Sequence, residues 1–108
     1  MEQKNAKTER KPTKKVESEK LLERKLVEKV KAKGGEAFKM LSQYHRGLPD
    51  RAVLFNGRAA FVEIKTTGKK PTKLQMRTKE RLEQLGFEFY VIDNSEAIDD
   101  FINNFINR

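Results

Sequence analysis

At 108 residues the chain has room for one hydrophobic core, and therefore for one domain. Its content of 36% hydrophobic and 37% charged residues is lean but sufficient for a folded α/β unit with a thin core. The absence of cysteine excludes disulfide staples and thiolate metal sites, and no apolar run approaches the ~20 residues of a membrane span, so a cytoplasmic, intracellular location is expected.

A net charge of +8, from 24 basic and 16 acidic side chains, makes polyanions the natural partners. The charge is concentrated first at the N-terminus. Residues 1–15 hold Lys4, Lys7, Arg10, Lys11, Lys14 and Lys15 with almost nothing apolar, which predicts a disordered basic arm and leaves 16–108 as the folded domain.

From Val16 a helical pattern begins, with Leu22, Leu26 and Val30 at spacing four, and Gly34-Gly35 ends it. At about 100° per residue, Glu19 and Glu23 fall inside the stripe of Leu22, Leu26, Val27 and Val30, whereas Glu17 and Glu28 point away. A carboxylate aimed at a core needs a cation or a hydrogen-bonding partner. Residues 37–44 read as a first strand, and the Gly and Pro of His45-Arg46-Gly47-Leu48-Pro49-Asp50 enforce an irregular turn after it.

Asn56-Gly57 between Ala52-Val53-Leu54-Phe55 and residues 58–65 is a strong hairpin signal. With a two-residue turn Phe55 pairs with Arg58 and Ala52 with Phe61, so Asp50 falls opposite Glu63. A polar loop, Thr66-Thr67-Gly68-Lys69-Lys70, leads to a helix with Pro71 in its first turn and Leu74, Thr78, Leu82 and Leu85 on one face, stopped by Gly86. Residues 87–92 form another strand. Ser95 is the expected cap of a last helix with Ile98, Phe101, Ile102, Phe105 and Ile106 on its apolar side. The order is α-β-β-β-α-β-α.

Alternation along the second hairpin strand puts Phe61, Glu63 and Lys65 on one face and Ala60, Val62 and Ile64 on the other. Two carboxylates meeting across a ladder are unfavourable as bare acids, and a divalent cation between them would relieve the pair. Magnesium takes hard oxygen ligands at about 2.0–2.1 Å and leaves positions for a phosphate oxygen. Asp50, Glu63 and the Ile64 carbonyl are its candidate protein ligands, and manganese is a candidate substitute. Lys65 beside them would position a water and offset charge on a phosphate, which is the chemistry of phosphodiester hydrolysis. Lys69, Lys70, Lys73, Arg77 and Lys79 cluster after the site strand, and with Arg46 they are the candidate grips for DNA phosphates. His45, the chain's only histidine, reads as structural or solvent-facing.

Pro49-Asp50 followed by Glu63-Ile64-Lys65 resembles the motif of the PD-(D/E)xK nucleases. Together with Glu23 before Gly34-Gly35, Arg46-Gly47-Leu48-Pro49-Asp50, Phe61-Val62, Leu74-Gln75 and Gly86-Phe87, it is similar to the virus-type replication-repair nuclease (VRR-NUC) domain of that superfamily. The resemblance covers residues 19–93. It implies a restriction-endonuclease-like fold with a central mixed β-sheet flanked by helices. It also implies Asp50 and Glu63 as metal ligands, Lys65 as the catalytic lysine, Glu23 as the helix carboxylate completing the site, and Gln75 as a supporting residue. Glu19 is the alternative to Glu23. The chain looks like the stand-alone phage or bacterial type, which implies a homodimer acting on branched DNA such as Holliday junctions or flaps, with the apolar last helix as a candidate dimer face. The competing readings are a basic nucleic-acid-binding module without catalysis and a small structural component of a nucleoprotein.

Overall fold

A computed structural model of the protein describes residues 15–42 and 45–108. The basic arm expected over residues 1–15 lies outside these except for Lys15. Helix α1 (Glu19–Ala32) starts where the Ser18 hydroxyl accepts the Leu21 N–H at 3.1 Å, and it carries Glu19 in its first turn and Lys29 and Lys31 in its last. These charges suit the helix dipole at each end. Leu22, Leu26 and Val30, one turn apart, are fully buried.

Strands β1 (Glu36–Lys39), β2 (Arg51–Phe55), β3 (Arg58–Ile64) and β4 (Glu88–Ile92) form one mixed sheet in that spatial order. The pairs β1–β2 and β2–β3 are antiparallel and β3–β4 is parallel. β1 is shorter than the sequence pattern suggests. It ends at Lys39, Met40 to Ser42 are irregular, and the last two residues of the expected strand, 43 and 44, lie outside the described residues. The hairpin has the expected register, Phe55 opposite Arg58 and Ala52 opposite Phe61. Asn56 (φ 51°) and Gly57 (φ 76°) both adopt the left-handed backbone that a tight two-residue turn between right-twisted strands requires.

Val53, Ala60, Val62, Ile64 and Ile92 face α1 and the C-terminal helix and close the core with them. Helix α2 (Lys73–Gln84) packs against β4, and its Gln75 meets Glu63 on the other side of the sheet. Thr72 caps α2, so Pro71 precedes the cap and is not in the first turn. No residue of α2 is buried.

The last helix differs from expectation in two respects. Its cap is Asn94, whose side chain accepts the Ala97 N–H, and not Ser95. Helix α3 (Ser95–Phe101) then widens into a π-helical segment, Ile102–Ile106, where Arg58 donates to the Phe105 carbonyl at 2.7 Å and lies over the Phe105 ring. Ile98, Phe101, Ile102, Phe105 and Ile106 are all buried within the monomer, so this helix has no apolar face left for a dimer. The exposed large apolar side chains on and just after α2 are Leu74, Met76, Leu85 and Phe87.

Glu17 also departs from its outward placement. It precedes the cap of α1, and its carboxylate accepts the Ser95 N–H at 2.7 Å and Lys25 Nζ at 3.1 Å, as well as the Ser95 hydroxyl. The Ser95 hydrogen bonds, above all, lower its pKa to about 2.

The turn before Asp50 is tightly built. Gly47 has φ +81°, and a Cβ there would lie 2.8 Å from the backbone C and O of Leu74. Gly47→Ala is therefore expected to combine left-handed strain with a clash against the first turn of α2. The cost is about 2–3 kcal/mol, read as a fall in Tm of roughly 10 °C or more. An unchanged Tm would mean that the turn does not rest on α2.

Candidate active site

The site forms where β2 begins and β3 ends. The ladder stops at the pair Arg51 and Val62, one residue short of Asp50. Asp50 is held there by buried Pro49 before it and by the Met40 N–H, which donates to its carbonyl at 2.9 Å. Its side chain takes the place of the missing ladder partner, Oδ2 accepting the Ile64 N–H at 2.7 Å. The hairpin register therefore carries Asp50 to the end of the sheet where Ile64 lies, although no ladder pair joins it to Glu63.

Glu63 is the one buried charged residue among those described, 1% exposed. Its Oε2 is fully engaged, accepting from Gln75 Nε2 at 2.6 Å and lying 3.2 Å from Lys65 Nζ. Its Oε1 is buried and has no hydrogen-bond partner among the described residues. Burial, first, and the charge of Asp50, second, raise the Glu63 pKa to about 7, against the opposing pull of Lys65. Asp50 is also raised, by burial first and then by the charges of Glu23 and Glu19, while the Ile64 hydrogen bond acts the other way.

An orphaned oxygen on a buried carboxylate is costly. Here it stands beside a second carboxylate that is itself destabilised as an anion. This donor set, hard oxygens with no thiolate or imidazole, fits a small divalent cation.

Gln75 has a defined orientation. Its Oε1 accepts the Thr72 N–H at 2.8 Å in a capping box, so its Nε2 is left to donate to Glu63. The cap that starts α2 therefore also orients the site glutamate.

The remaining candidates separate. Glu23 does not join Asp50 and Glu63 through a contact. It accepts from Arg51 Nε at 2.8 Å and Lys39 Nζ at 3.2 Å, and reaches the site through its charge on Asp50. Glu19, one turn earlier, acts electrostatically on both Asp50 and Glu63. Among the described residues, no three carboxylate or imidazole side chains converge closely enough to hold an ion by themselves. Arg46, Lys69, Lys70, Lys73 and Arg77 are exposed, whereas Lys79 pairs with Glu83 at 3.0 Å on its own helix. His45 is exposed.

Arg51 was missed by sequence reasoning, although the signal was present. It alternates with Val53 and Phe55 on the face of β2 turned toward α1, and a guanidinium there requires an acid, which Glu23 provides.

Searched against protein-family models, the chain matches none. It is 45% identical over 76 residues to "Putative nuclease p44" of Acyrthosiphon pisum secondary endosymbiont phage 1, a match covering 69% of this chain and 82% of the relative. Among solved structures it resembles one described as "VRR_NUC domain", with a TM-score of 0.76 and 29% sequence identity. That likeness covers 81% of this chain and 96% of the other.

Proposed function

Because the chain belongs to the virus-type replication-repair nuclease family and has its restriction-endonuclease-like fold, we propose that it is a divalent-metal-dependent endonuclease that cuts branched DNA as a homodimer. The observation that carries the metal dependence is the unpartnered, buried Oε1 of Glu63 next to Asp50. Asp50 and Glu63 would hold the cation, with the Ile64 carbonyl as a third donor. Of the two α1 carboxylates, Glu19 suits the fourth position better, since Glu23 is committed to Arg51 and Lys39. When bound, magnesium or manganese supplies Lewis-acid polarisation of a phosphate oxygen and lowers the pKa of water.

The chain's own residues divide the remaining work. Lys65, 3.2 Å from Glu63 and largely sheltered from solvent, offsets charge that develops on the phosphate. Gln75 keeps the Glu63 carboxylate in one orientation, so that Oε1 rather than Oε2 is available. The exposed Arg46, Lys69, Lys70, Lys73 and Arg77 contact DNA backbone, which fixes position but carries no sequence information. A preference for branched DNA would then come from the shape of two basic surfaces in a dimer, and the exposed apolar residues on and after α2 support association there.

The test uses end-labelled four-way junction, flap and linear duplex DNA, each with magnesium, with manganese and with chelator, alongside sedimentation of the protein. Metal-dependent incision that favours the junction, by a dimeric species, is the expected result. Equal cutting of linear duplex would remove the structure preference. Salt-sensitive binding without incision in either metal would leave a binding module.

A further inference from the structure

The loop between β3 and α2 carries Lys69 and Lys70 next to the site strand. It is short, polar and centred on a glycine, a composition that ordinarily gives a mobile tether. Here the loop is pinned at several points. The Thr67 N–H donates to the Glu17 carbonyl at 3.1 Å, and the Thr67 hydroxyl accepts the Glu17 N–H at 2.9 Å. The same hydroxyl donates to the Asp93 carbonyl at 2.7 Å, and the Gly68 N–H donates to Asp93 Oδ2 at 3.1 Å. A turn closes behind them, from the Lys69 N–H to the Thr66 carbonyl at 2.9 Å. Glu17 is itself anchored through its carboxylate to Ser95 and Lys25.

Three chain segments therefore meet at one side chain: the residue before the cap of α1, the loop leaving β3, and the turn between β4 and α3. A half-buried hydroxyl that both accepts and donates can be replaced by serine but not by valine.

We propose that Thr67 is a positioning residue for substrate binding, its hydroxyl holding the loop of residues 66–70 so that Lys69 and Lys70 are presented as a preorganised grip for a nucleic-acid phosphate beside Asp50 and Glu63. The inference rests on the nuclease reading of the site. Its physical basis is that lysines on an already ordered loop lose less freedom on binding than the same lysines on a loose one. The clasp also joins the start of α1, which carries Glu19, to the loop leaving the strand that carries Glu63.

The experiment measures affinity of the full chain for fluorescently labelled four-way junction and linear duplex DNA in chelator, across a salt series, together with single-turnover cleavage at saturating DNA in magnesium. Thr67→Val is expected to raise Kd about 5–10-fold and to flatten the dependence of log K on log salt by about one. The saturated cleavage rate should stay within about two-fold of the original, and Thr67→Ser should restore the affinity. In a double-mutant cycle, Thr67→Val should add little to the paired Lys69→Ala and Lys70→Ala variant, because both remove the same contact. Asp93→Ala, which frees the Gly68 N–H by another route, should weaken binding in the same way and serves if Thr67→Val does not fold. Unchanged affinity in Thr67→Val, or an effect that adds fully to that of the lysine pair, would overturn the proposal. Failure of the wild-type chain to cut in any metal would remove the nuclease reading, while the affinities would still decide the role of Thr67.

Discussion

Lys65→Ala and Asp50→Asn are each expected to lower the rate of DNA cleavage by about 10³-fold or more while leaving the fold and most of the DNA affinity intact. The two variants should fail for different reasons. Removing Lys65 takes away the ammonium 3.2 Å from Glu63 Oε2, and with it one of the influences that hold the Glu63 pKa down. Glu63 then becomes harder to ionise, so cation affinity at neutral pH should fall together with activity. Asp50→Asn keeps an oxygen able to accept the Ile64 N–H, so the bend after Pro49 should survive. It removes the charge that, after burial, does most to raise the Glu63 pKa, and the variant should be folded, at least as stable as the parent, and inactive. Rates with end-labelled DNA at matched concentration, with circular dichroism and anisotropy as controls, check both. Asp50→Asn that still cuts at more than about a tenth of the parental rate would remove Asp50 from the site.

The second large effect concerns stability. The pKa of Glu63 is raised from an ordinary 4.5 to about 7, so between these values the folded protein binds more protons than the unfolded chain. Under that condition stability without metal is fully present below about pH 4.5 and declines as pH rises through 7. Each pKa unit corresponds to about 1.4 kcal/mol, so ionising Glu63 costs at most about 3.5 kcal/mol above neutrality, an upper bound because water and counter-ions reach a strained site. Glu63→Gln removes this dependence. Its stability in chelator, followed by urea unfolding between pH 4.5 and 8.5, should be flatter than that of the parent, and at pH 8 the variant should be the more stable of the two. Millimolar magnesium should raise the Tm of the parent and not that of the variant. Parallel pH profiles for the two proteins would show that Glu63 is not the buried acid that titrates.

Both predictions depend on a carboxylate that the fold confines and leaves half satisfied. The same arrangement explains why α2, which has no buried residue of its own, matters to the site. Its capping box commits one end of the Gln75 amide to Thr72 and aims the other at Glu63. The resemblance implies a supporting role for Gln75, and the capping box fixes the orientation in which its amide meets Glu63.

Much of this protein is legible in its sequence, because the relevant information is periodic or local. Spacing of four in α1, the Asn56-Gly57 turn and alternation along β3 are enough to give the helix, the hairpin and its register. Register is determinable in this way because a tight turn sets it and a slip of one residue would bring Glu63 to the face occupied by Val62 and Ile64. Tertiary structure alone decided the rest. That Glu23 is held by Arg51 and Lys39, and not by Asp50 or Glu63, depends on side chains arriving from two different strands. Whether the last helix offers a dimer face depends on the sheet and α1 already covering its apolar residues. The joining of Glu17, Thr67 and Ser95 brings together residues up to 78 positions apart. These partnerships are long-range side-chain matches, and neither periodicity nor turn chemistry encodes which distant polar group will arrive to satisfy a buried one.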